Sequence, residues 1–282
     1  MDAAANAAMG NSRRLPRSYL FVPADRPERI AKAIASGSDA VIVDLEDAVA
    51  PAAKDSARNA LALAWPECVQ RAVEAGVVLL PRINAPDTAW HDADLQWCRA
   101  SGVQAVVLPK ADAASVGSLI AALPAVQCHA LIETASGFVQ LADVAGAPGV
   151  ARLLFGSIDL MMDLGIGDDD LPLHHYRSQL VLHSRAAGLP APVDGVCTAI
   201  GDADALAFET RRACAFGFGG KLLIHPNQVE TVHAALAPSE AELAWARRVV
   251  EAAEAAGRAA VAVDGKMVDR PVLERARRIL RG

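Results

Sequence analysis

The sequence predicts an α/β fold, a (β/α)8 TIM barrel, on three observations. Eight short apolar runs recur along the chain, and segments with helix signals separate them. Several runs are rich in Val, Ile and Leu without clean alternation, as in parallel strands that are buried on both faces. The 282 residues suit one barrel of about 250 residues with an addition. The runs lie at residues 18–24, 40–47, 77–84, 105–110, 129–134, 151–159, 191–196 and 221–226.

The segments between the runs begin and end with helix signals. A doubly wound open sheet is the structural alternative, because it shares the alternation of strands and helices. However, no GxGxxG follows the first run, and eight runs are the number that a barrel requires. The helix signals are a cap and first turn at Asp25, Pro27 and Glu28, three further starts at Pro51, Asp112 and Asp202, and a stop at Gly217.

The chain divides into three predicted parts. Residues 1–16 are expected to be disordered, residues 17–236 to form the barrel, and residues 237–282 to form an extension. Within the extension, residues 239–256 have the pattern of an amphipathic helix, residues 257–271 that of a hairpin or turn, and "VLERARRIL" that of a last helix. We expect the extension to pack on the barrel or on a neighbouring subunit.

Composition and charge exclude several classes of protein. The net charge of -6 and the absence of a basic run argue against a nucleic-acid partner. The five cysteines are scattered singly, which indicates a reducing cytoplasm rather than a disulfide scaffold or a thiolate zinc site. The first residues lack the apolar core of a signal peptide, and no run of about 18 apolar residues could span a bilayer. We therefore expect a cytoplasmic protein without a membrane partner.

Polar side chains follow most of the runs, at the positions where barrel strands end. In barrels of this type, those carboxyl ends face the active site. The second run ends in three acids, Asp44, Glu46 and Asp47, and buried carboxylates require a cation nearby. The polar residues collected from the strand ends are Glu46, Asp47, Arg82, Asn84, Lys110, Glu133, Thr134, Asp159, Asp194 and His225.

Two of these carboxylates suggest a metal site. Glu133 and Asp159 follow adjacent strands, so we expect their oxygens on one side of the barrel mouth. Two carboxylates that leave other positions to water and substrate suit Mg²⁺. Alternatively, either acid caps the helix that follows it or pairs with a Lys or Arg.

The cationic candidates have two interpretations each. Arg82 in "LPRIN" offers paired donors to a substrate carboxylate, or forms an internal ion pair with the acids of "DLED". Lys110 is a Schiff-base lysine or the partner of a strand-end carboxylate, and His225 is a base or a hydrogen-bonded structural histidine. Arg26 and Lys32 surround a helix start that favours phosphate, or they belong to a solvated helix face.

Eight segments, in order from about Arg17 to about Arg277, resemble those of a known enzyme family. They are "RSYLFVPADRPERIAKA", "DAVIVDLEDAVAPAAKDSAR", "LLPRINAPDT", "VVLPKA", "LIETASG", "LLFGSIDLMMDLG", "GFGGKLLIHPNQ" and "DGKMVDRPVLERA". The resemblance is to the citrate lyase beta-subunit-like and malyl-CoA lyase (CoA ester lyase) branch of the HpcH/HpaI aldolase/citrate lyase superfamily. It implies a Mg²⁺-dependent barrel that forms trimers or hexamers and makes or breaks a carbon–carbon bond in small carboxylated acyl-thioesters.

The resemblance also implies roles for the strand-end residues. The Glu of the family's "IET" falls on Glu133 and the Asp of its "FG-x-x-DL" on Asp159, which implies that both bind Mg²⁺. The Arg of "RIN" falls on Arg82, which implies that it holds the oxo-acid part of the substrate. Glu46 and Asp47 would support Arg82 and, through bound water, the metal. Related free-acid aldolases have a catalytic histidine at the position of Asp47, so an Asp there departs from that branch and implies that another residue transfers the proton. Direct catalysis by Asp47 is the alternative.

Two further segments acquire roles by the same resemblance. Phe21, Arg26 and Lys32 would lie on the coenzyme A side, although the loop reads "FVPA", with Ala24 where the family usually has Gly. The segment "GKMVDRP" resembles the lid of the coenzyme A lyases, which implies that Asp269 reaches a neighbouring subunit's site as an acid or base. Asp269 is alternatively the N-cap of the last helix.

The implied function is a lyase that cleaves or forms a 3-hydroxy-carboxyacyl-CoA, such as malyl-CoA or citramalyl-CoA. Its products would be an acyl-CoA and a small 2-oxo acid, and a homotrimer or hexamer is expected. The alternatives are a citrate lyase beta subunit that acts on a citryl thioester of a carrier protein or coenzyme A, and a malyl-CoA thioesterase. An aldolase for free hydroxy-oxo acids and a non-catalytic barrel are two more.

Overall fold

The computed structural model describes residues 15–256 and 261–281, which form ten strands and twelve helices. The strands are β1 (Ser18–Pro23), β2 (Ala40–Asp44), β3 (Val78–Arg82), β4 (Ala105–Leu108), β5 (Gln127–Ile132), β6 (Val150–Phe155), β7 (Val193–Asp194), β8 (Gly220–Leu223), β9 (Val261–Val263) and β10 (Lys266–Val268). Strands β1 to β8 are parallel, each pairs with the next, and β8 pairs with β1. The predicted barrel is confirmed, and the open-sheet alternative is wrong.

In the described part of the chain, ten helices follow the barrel strands in sequence, and two more lie in the carboxyl-terminal segment. They are α1 (Pro27–Ile34), α2 (Lys54–Ala75), α3 (His91–Ala100), α4 (Ala113–Ala122), α5 (Ala135–Val139), α6 (Leu141–Gly146), α7 (Ser157–Leu164), α8 (His174–Ala186), α9 (Ala203–Phe216), α10 (Gln228–Leu236), α11 (Glu240–Ala256) and α12 (Arg270–Arg281). Short 3₁₀ turns at Pro51–Ala53 and Leu171–Leu173 precede α2 and α8. Two short helices, α5 and α6, lie between β5 and β6, where one helix would suffice.

Most of the predicted helix signals hold, with one correction. The side chains of Asp112 and Asp202 accept hydrogen bonds from first-turn N–H groups of α4 and α9, at 2.8 and 2.9 Å. Gly217 ends α9 with a φ of 105°, in the left-handed region that glycine adopts easily. The predicted cap at Asp25 is wrong, because α1 begins after Arg26, whose side chain makes no capping bond.

Apolar side chains from all parts of the barrel fill its interior. Strand β2 is buried at all five positions, as expected for a strand between the interior and the surrounding helices. Polar side chains with a chemical role are therefore restricted to the strand ends and the loops that follow them. The interior cluster consists of Tyr19, Ala40, Ile42, Leu80, Val107, Leu131, Leu154, Val193 and Leu222.

A buried ionic network joins β7, β8 and α8. Asp194 accepts from Lys221 Nζ at 2.9 Å and from Arg177 Nε at 3.1 Å, and the register of the parallel strands places Asp194 beside Lys221. All three side chains are almost fully buried. Burial alone would raise the pKa of Asp194, but Lys221 and Arg177 hold it below its usual value. The acid therefore pairs with two cations in the barrel wall, and Asp169 and Glu209 supply a second carboxylate to Arg177 and Lys221, at 2.6 and 3.3 Å, respectively.

The chain forms two compact units, the first ending at His233 and the second beginning at Ala234. In the second unit, α11, the antiparallel pair β9–β10 and α12 pack around Ala246, Val249 and Ala276. Of the amino-terminal segment that we expected to be disordered, residues 1–14 lie outside the described residues, as do residues 257–260 of the predicted hairpin region. Among the residues that the structure describes, no helix combines the length and hydropathy needed to cross a membrane.

Replacing Asp194 with Ala should destabilise the barrel strongly, because two buried cations lose their shared carboxylate. We expect the free energy of unfolding to fall by about 3–5 kcal/mol, as is typical when one partner of a buried ion pair is removed. Urea unfolding followed by circular dichroism measures the effect. The control is Arg71→Ala, which removes an exposed ion pair with Glu67 and should leave the unfolding midpoint unchanged. A loss below about 1 kcal/mol for Asp194→Ala would contradict the role assigned to this network.

Candidate active site

A cavity of about 540 Å³ lies at the carboxyl ends of the barrel strands. Apolar side chains, among them Phe21, Leu131 and Phe155, form part of its wall. Six of the ten strand-end candidates do not line this cavity, so the strand-end rule collected more residues than the cavity contains: Glu46, Asn84, Lys110, Thr134, Asp194 and His225. The titratable residues that line it are Asp44, Asp47, Arg82, Glu133 and Asp159.

An ion pair between Asp44 and Arg82 forms one side of the cavity. The two residues end β2 and β3 and are register partners, so their side chains leave the sheet on the same face. Arg82 donates from Nε to Asp44 Oδ1 at 2.7 Å and from Nη2 to Oδ2 at 2.6 Å. The backbone N–H groups of Glu46 and Ala48 also donate to Asp44, at 2.9 and 3.1 Å. The carboxylate of Asp44 thus holds both the arginine and the turn that follows β2.

The remaining nitrogen of Arg82 faces the other two acids of this turn. Nη1 lies 3.0 Å from Glu46 Oε2 and 3.2 Å from Asp47 Oδ2, and the ring of Phe21 lies 4.9 Å from the guanidinium carbon. Burial alone would lower the pKa of Arg82, but the neighbouring carboxylates raise it above its usual value. The internal ion pair that the sequence left open is confirmed, and binding of a substrate carboxylate by Arg82 stays a prediction.

Glu46 is a buried carboxyl group with an incomplete set of partners. Burial raises its pKa to about 7, Arg82 opposes this shift, and Asp47 and Asp44 add to it. Glu46 Oε2 makes no hydrogen bond despite its closeness to Arg82. Lys110 Nζ lies 3.8 Å from Glu46 Oε1, which confirms the carboxylate-partner interpretation of this lysine.

Lys110 also holds the opposite wall through its backbone. Its φ of 48° is unusual for a residue with a side chain and stores local strain. In this conformation, its N–H donates to Glu133 Oε1 at 2.7 Å. The strained turn after β4 therefore fixes one oxygen of Glu133.

Glu133 and Asp159 are the two predicted metal ligands, and the structure brings them together at the cavity. Burial raises the pKa of Glu133 to about 8. The charges of Glu46 and Asp159 add to this shift, and the charge of Arg82 opposes it. Burial, followed by the charge of Asp47, likewise raises the pKa of Asp159. Gly156 allows this packing, because a Cβ at that position would lie 2.5 Å from Glu133 Oε2 and overlap the Glu133 side chain.

The charge balance of the cavity fits a divalent cation. Among the described residues, four carboxyl groups line the cavity, those of Asp44, Asp47, Glu133 and Asp159, and Arg82 is the one cationic side chain in its lining. Burial, with smaller contributions from the neighbouring acids, raises the pKa of Glu46 and Glu133, and a bound cation would favour their ionised forms. Within the described part of the chain, no three His, Cys, Asp or Glu side chains form a ready-made metal cluster. Two carboxylates, with water or substrate at the other positions, are the arrangement that Mg²⁺ accepts.

A second cavity of about 270 Å³ lies beside α1. Phe21 and Lys32, two of the residues expected on the coenzyme A side, line it, whereas Arg26 is exposed and lines neither cavity. Arg29 and His225 also line it. The sequence analysis did not single out Arg29, although it lies one helical turn before Lys32 on the same face of α1.

The other predicted residues have identified local contacts. Asn84 donates from Nδ2 to the buried Asp94 at 2.7 Å, and Thr134 caps α5. His225 Nδ1 accepts a backbone N–H bond at 3.2 Å, as expected for a structural histidine. In the second unit, Asp269 accepts from the N–H of Val272 at 3.0 Å, which is the N-cap interaction considered as its alternative role. The side chain of Asp269 is exposed.

The raised carboxyl pKa values predict a specific pH dependence of stability. The pKa of a Glu side chain is ordinarily 4.5, whereas in the folded chain it is about 8 for Glu133 and about 7 for Glu46. Between pH 4.5 and these values, each group binds a proton more tightly in the folded chain than in the unfolded chain. The folded state therefore holds more protons than the unfolded state, and its stability falls as the pH rises through this window. Urea midpoints measured from pH 5 to pH 9 in chelator should fall less steeply for Glu133→Gln than for the parent protein. Identical pH dependence in both proteins would contradict the assignment.

Comparison with known proteins identifies relatives along almost the whole chain. Residues 17–226 match the family described as HpcH/HpaI aldolase/citrate lyase. The chain is 40% identical over 278 residues to a citrate lyase subunit beta-like protein of Mycobacterium tuberculosis, which covers 96% of this chain and 97% of the relative. It is 34% identical over 270 residues to a (3S)-malyl-CoA thioesterase of Cereibacter sphaeroides, which covers 94% and 93%, respectively.

One solved structure is as similar in sequence to this chain as the Mycobacterium tuberculosis relative is, with 40% identity in both comparisons. It is the crystal structure of CitE from Mycobacterium tuberculosis in complex with magnesium, acetoacetate and coenzyme A. The two structures agree with a TM-score of 0.83 at 40% identity, over 94% of this chain and 97% of that chain. From the family match and these relatives, we conclude that the chain belongs to the HpcH/HpaI aldolase/citrate lyase family.

Proposed function

We propose that this chain is a Mg²⁺-dependent carbon–carbon lyase for 3-hydroxy-carboxyacyl-CoA substrates such as malyl-CoA or citramalyl-CoA. The observation that carries the proposal is a pair of carboxyl groups, Glu133 and Asp159, that line the same cavity as Arg82. Burial raises the pKa of both groups, and the charge of Arg82 opposes this shift. The solved relative that binds magnesium, acetoacetate and coenzyme A supports the same combination of ligands here. The products would be a small 2-oxo acid and an acyl-CoA.

Glu133 and Asp159 are the residues that would hold the metal. A bound Mg²⁺ would supply Lewis-acid stabilisation of negative charge on substrate oxygens. Lys110, through its backbone N–H, keeps Glu133 oriented toward this position. Arg82 would add a second positive contact for the oxo-acid part, from the side that faces the cavity.

The cleavage reaction requires one proton to leave and another to be delivered. The substrate hydroxyl loses its proton, its oxygen forms the new carbonyl, and the carbon–carbon bond breaks. The electron pair of that bond passes to the thioester as an enolate, whose carbon then takes a proton. Asp47 is the candidate acceptor of the hydroxyl proton, since its side chain is 64% exposed at the cavity edge and next to Arg82.

Asp269 is our candidate for the group that protonates the enolate carbon, and that removes this proton in the condensation direction. We propose that it acts on the site of a neighbouring subunit in a homotrimer or hexamer, as the lid-like segment suggests. Phe21, Arg26 and Lys32 would lie along the coenzyme A. In this proposal the enzyme is cytoplasmic and acts on acyl-CoA and small 2-oxo acid substrates.

Thioester hydrolysis is a second candidate, favoured by the (3S)-malyl-CoA thioesterase relatives. In that reaction water attacks the thioester, and the products are a free hydroxy acid and coenzyme A. A citryl thioester on coenzyme A or a carrier protein is a further substrate class, in keeping with a 32% identical citrate lyase subunit beta of Leuconostoc mesenteroides. Product analysis separates hydrolysis from the two lyase reactions, since only the lyases release an oxo acid with an intact thioester. The substrate that is turned over separates the two lyases.

Removing either metal ligand should abolish turnover. We expect Glu133→Gln and Asp159→Asn to lower kcat on malyl- or citramalyl-CoA by roughly 100-fold or more, because the developing oxyanion loses its stabilisation. Calorimetric titration should show at least about tenfold weaker Mg²⁺ binding in the presence of pyruvate.

The control for these two variants is Asp143→Asn, an exposed acid on α6 that lies outside the cavity. It should retain the parent kcat and Mg²⁺ affinity. Full activity of Glu133→Gln, or no turnover of any malyl-, citramalyl- or citryl-thioester by the parent enzyme, would refute the proposed function.

Asp269→Asn separates proton transfer from helix capping. Asn caps a helix about as well as Asp, so the variant keeps the bond to Val272 and loses only the titratable group. We expect kcat to fall by about 10²- to 10⁴-fold with an unchanged melting temperature. Asp264→Asn is the matched control, because Asp264 is an exposed acid in the nearby β9–β10 turn and Asn tolerates its φ of 51°. Equal activity of the two variants would exclude Asp269 as the proton donor.

A further inference from the structure

Lys54 is a buried lysine directly behind the cavity turn that carries Glu46 and Asp47. Its exposed fraction is 5%, and its Nζ donates to the backbone carbonyls of Leu45 at 2.8 Å and Glu46 at 2.6 Å. Hydrogen bonds from a charged donor are shorter and stronger than neutral ones. Two of the three donors of this ammonium group are therefore used by adjacent peptide groups of one turn.

The position of Lys54 is unfavourable on general grounds. It is the first residue of α2, where the helix dipole is positive, and it is almost fully buried. Burial lowers its pKa, while the charges of Asp44 and Glu46 oppose that shift. Among the described residues, no carboxylate lies within 4.0 Å of its nitrogen. The two carbonyls and the ring of Trp90, 5.3 Å away, are the close groups that stabilise the cation.

The turn after β2 is held from both sides. On one side, Asp44 accepts from the N–H groups of Glu46 and Ala48. On the other, Lys54 donates to the carbonyls of Leu45 and Glu46. Further hydrogen bonds to this turn include Leu45 N–H to the carbonyl of Arg82 at 2.9 Å. A peptide turn fixed in this way determines where the side chains of Glu46 and Asp47 meet Nη1 of Arg82.

We propose that Lys54 is a positioning residue for the active site, which orients Arg82 by fixing the turn that carries Glu46 and Asp47. The inference rests on the proposed lyase function for its kinetic consequence, and on geometry alone for its effect on the turn. Lys54 itself does not line the cavity and touches no reacting group.

Lys54→Met tests this role, since it keeps an unbranched side chain and removes the cation and its donors. We expect kcat on the thioester substrate to fall by about 10- to 100-fold, the range for outer partners of a site, with KM within about threefold of the parent value. Hydrogen exchange should accelerate by at least about tenfold at the amides of residues 45–49 and remain unchanged in β5 and β6. Arg71→Met, an exposed cation on the same helix, is the control and should match the parent in both measurements.

Three outcomes would overturn the proposal: an unchanged kcat in Lys54→Met, an unchanged exchange rate in the turn, or acceleration spread evenly over the barrel. Should Lys54→Met fail to fold, Lys54→Arg decides, because a guanidinium also donates to two carbonyls. It should keep kcat within about tenfold of the parent and slow exchange in the turn, and a larger loss with an intact turn would refute the role. If the parent enzyme turns over no thioester, the proposed function fails, and the exchange measurement still decides the positioning role.

Discussion

The ion pair between Asp44 and Arg82 is the interaction on which the rest of the site depends. It follows from strand register, because the last residues of β2 and β3 are partners in a parallel ladder and project to the same face. Asp44 uses the pair to fix the guanidinium and accepts two backbone N–H groups to fold the next turn. The sheet thus defines the position of one arginine, and the turn held by Asp44 places Glu46 and Asp47 against the remaining nitrogen of that arginine. A shift of one residue in register would turn both side chains away from each other.

An excess of acid at the cavity is the second constraint, and it explains why the turn needs support from behind. Burial raises the pKa of Glu46 and Glu133 toward and above neutrality, so each would prefer to bind a proton. Bringing such groups together costs free energy unless a cation joins them. Three features hold the acids in place against this cost. The strained backbone of Lys110 and the absence of a side chain at Gly156 position Glu133. The buried Lys54 binds the backbone carbonyl of Glu46.

The sequence was sufficient to predict the barrel and most of its strand ends. Apolar runs identify buried parallel strands directly, and Glu133, Asp159 and Arg82 follow from the rule that strand ends face the site. The same rule failed for Asp194, because a residue at the end of the very short β7 can still lie inside the wall. Lys54 was not predicted, since a lysine at the start of a helix resembles a solvent-exposed residue until its carbonyl partners are known. Pairings across strands depend on register, which the apolar pattern of a fully buried strand does not specify.

The hydrogen bonds and ion pairs of the cavity carboxylates limit which of them can transfer a proton. Asp44 already accepts two hydrogen bonds from Arg82 and two from backbone N–H groups, so its oxygens are committed to the protein. Glu133 is engaged by the Lys110 N–H and, in our proposal, by the metal together with Asp159. Glu46 is buried between Arg82 and Lys110 and does not line the cavity, which leaves Asp47 as the exposed acid of this turn. One exposed carboxylate can serve the hydroxyl of the substrate, but the enolate carbon requires a second group. This is the physical reason to look for that group in another segment, and Asp269, exposed at the start of α12, meets the requirement.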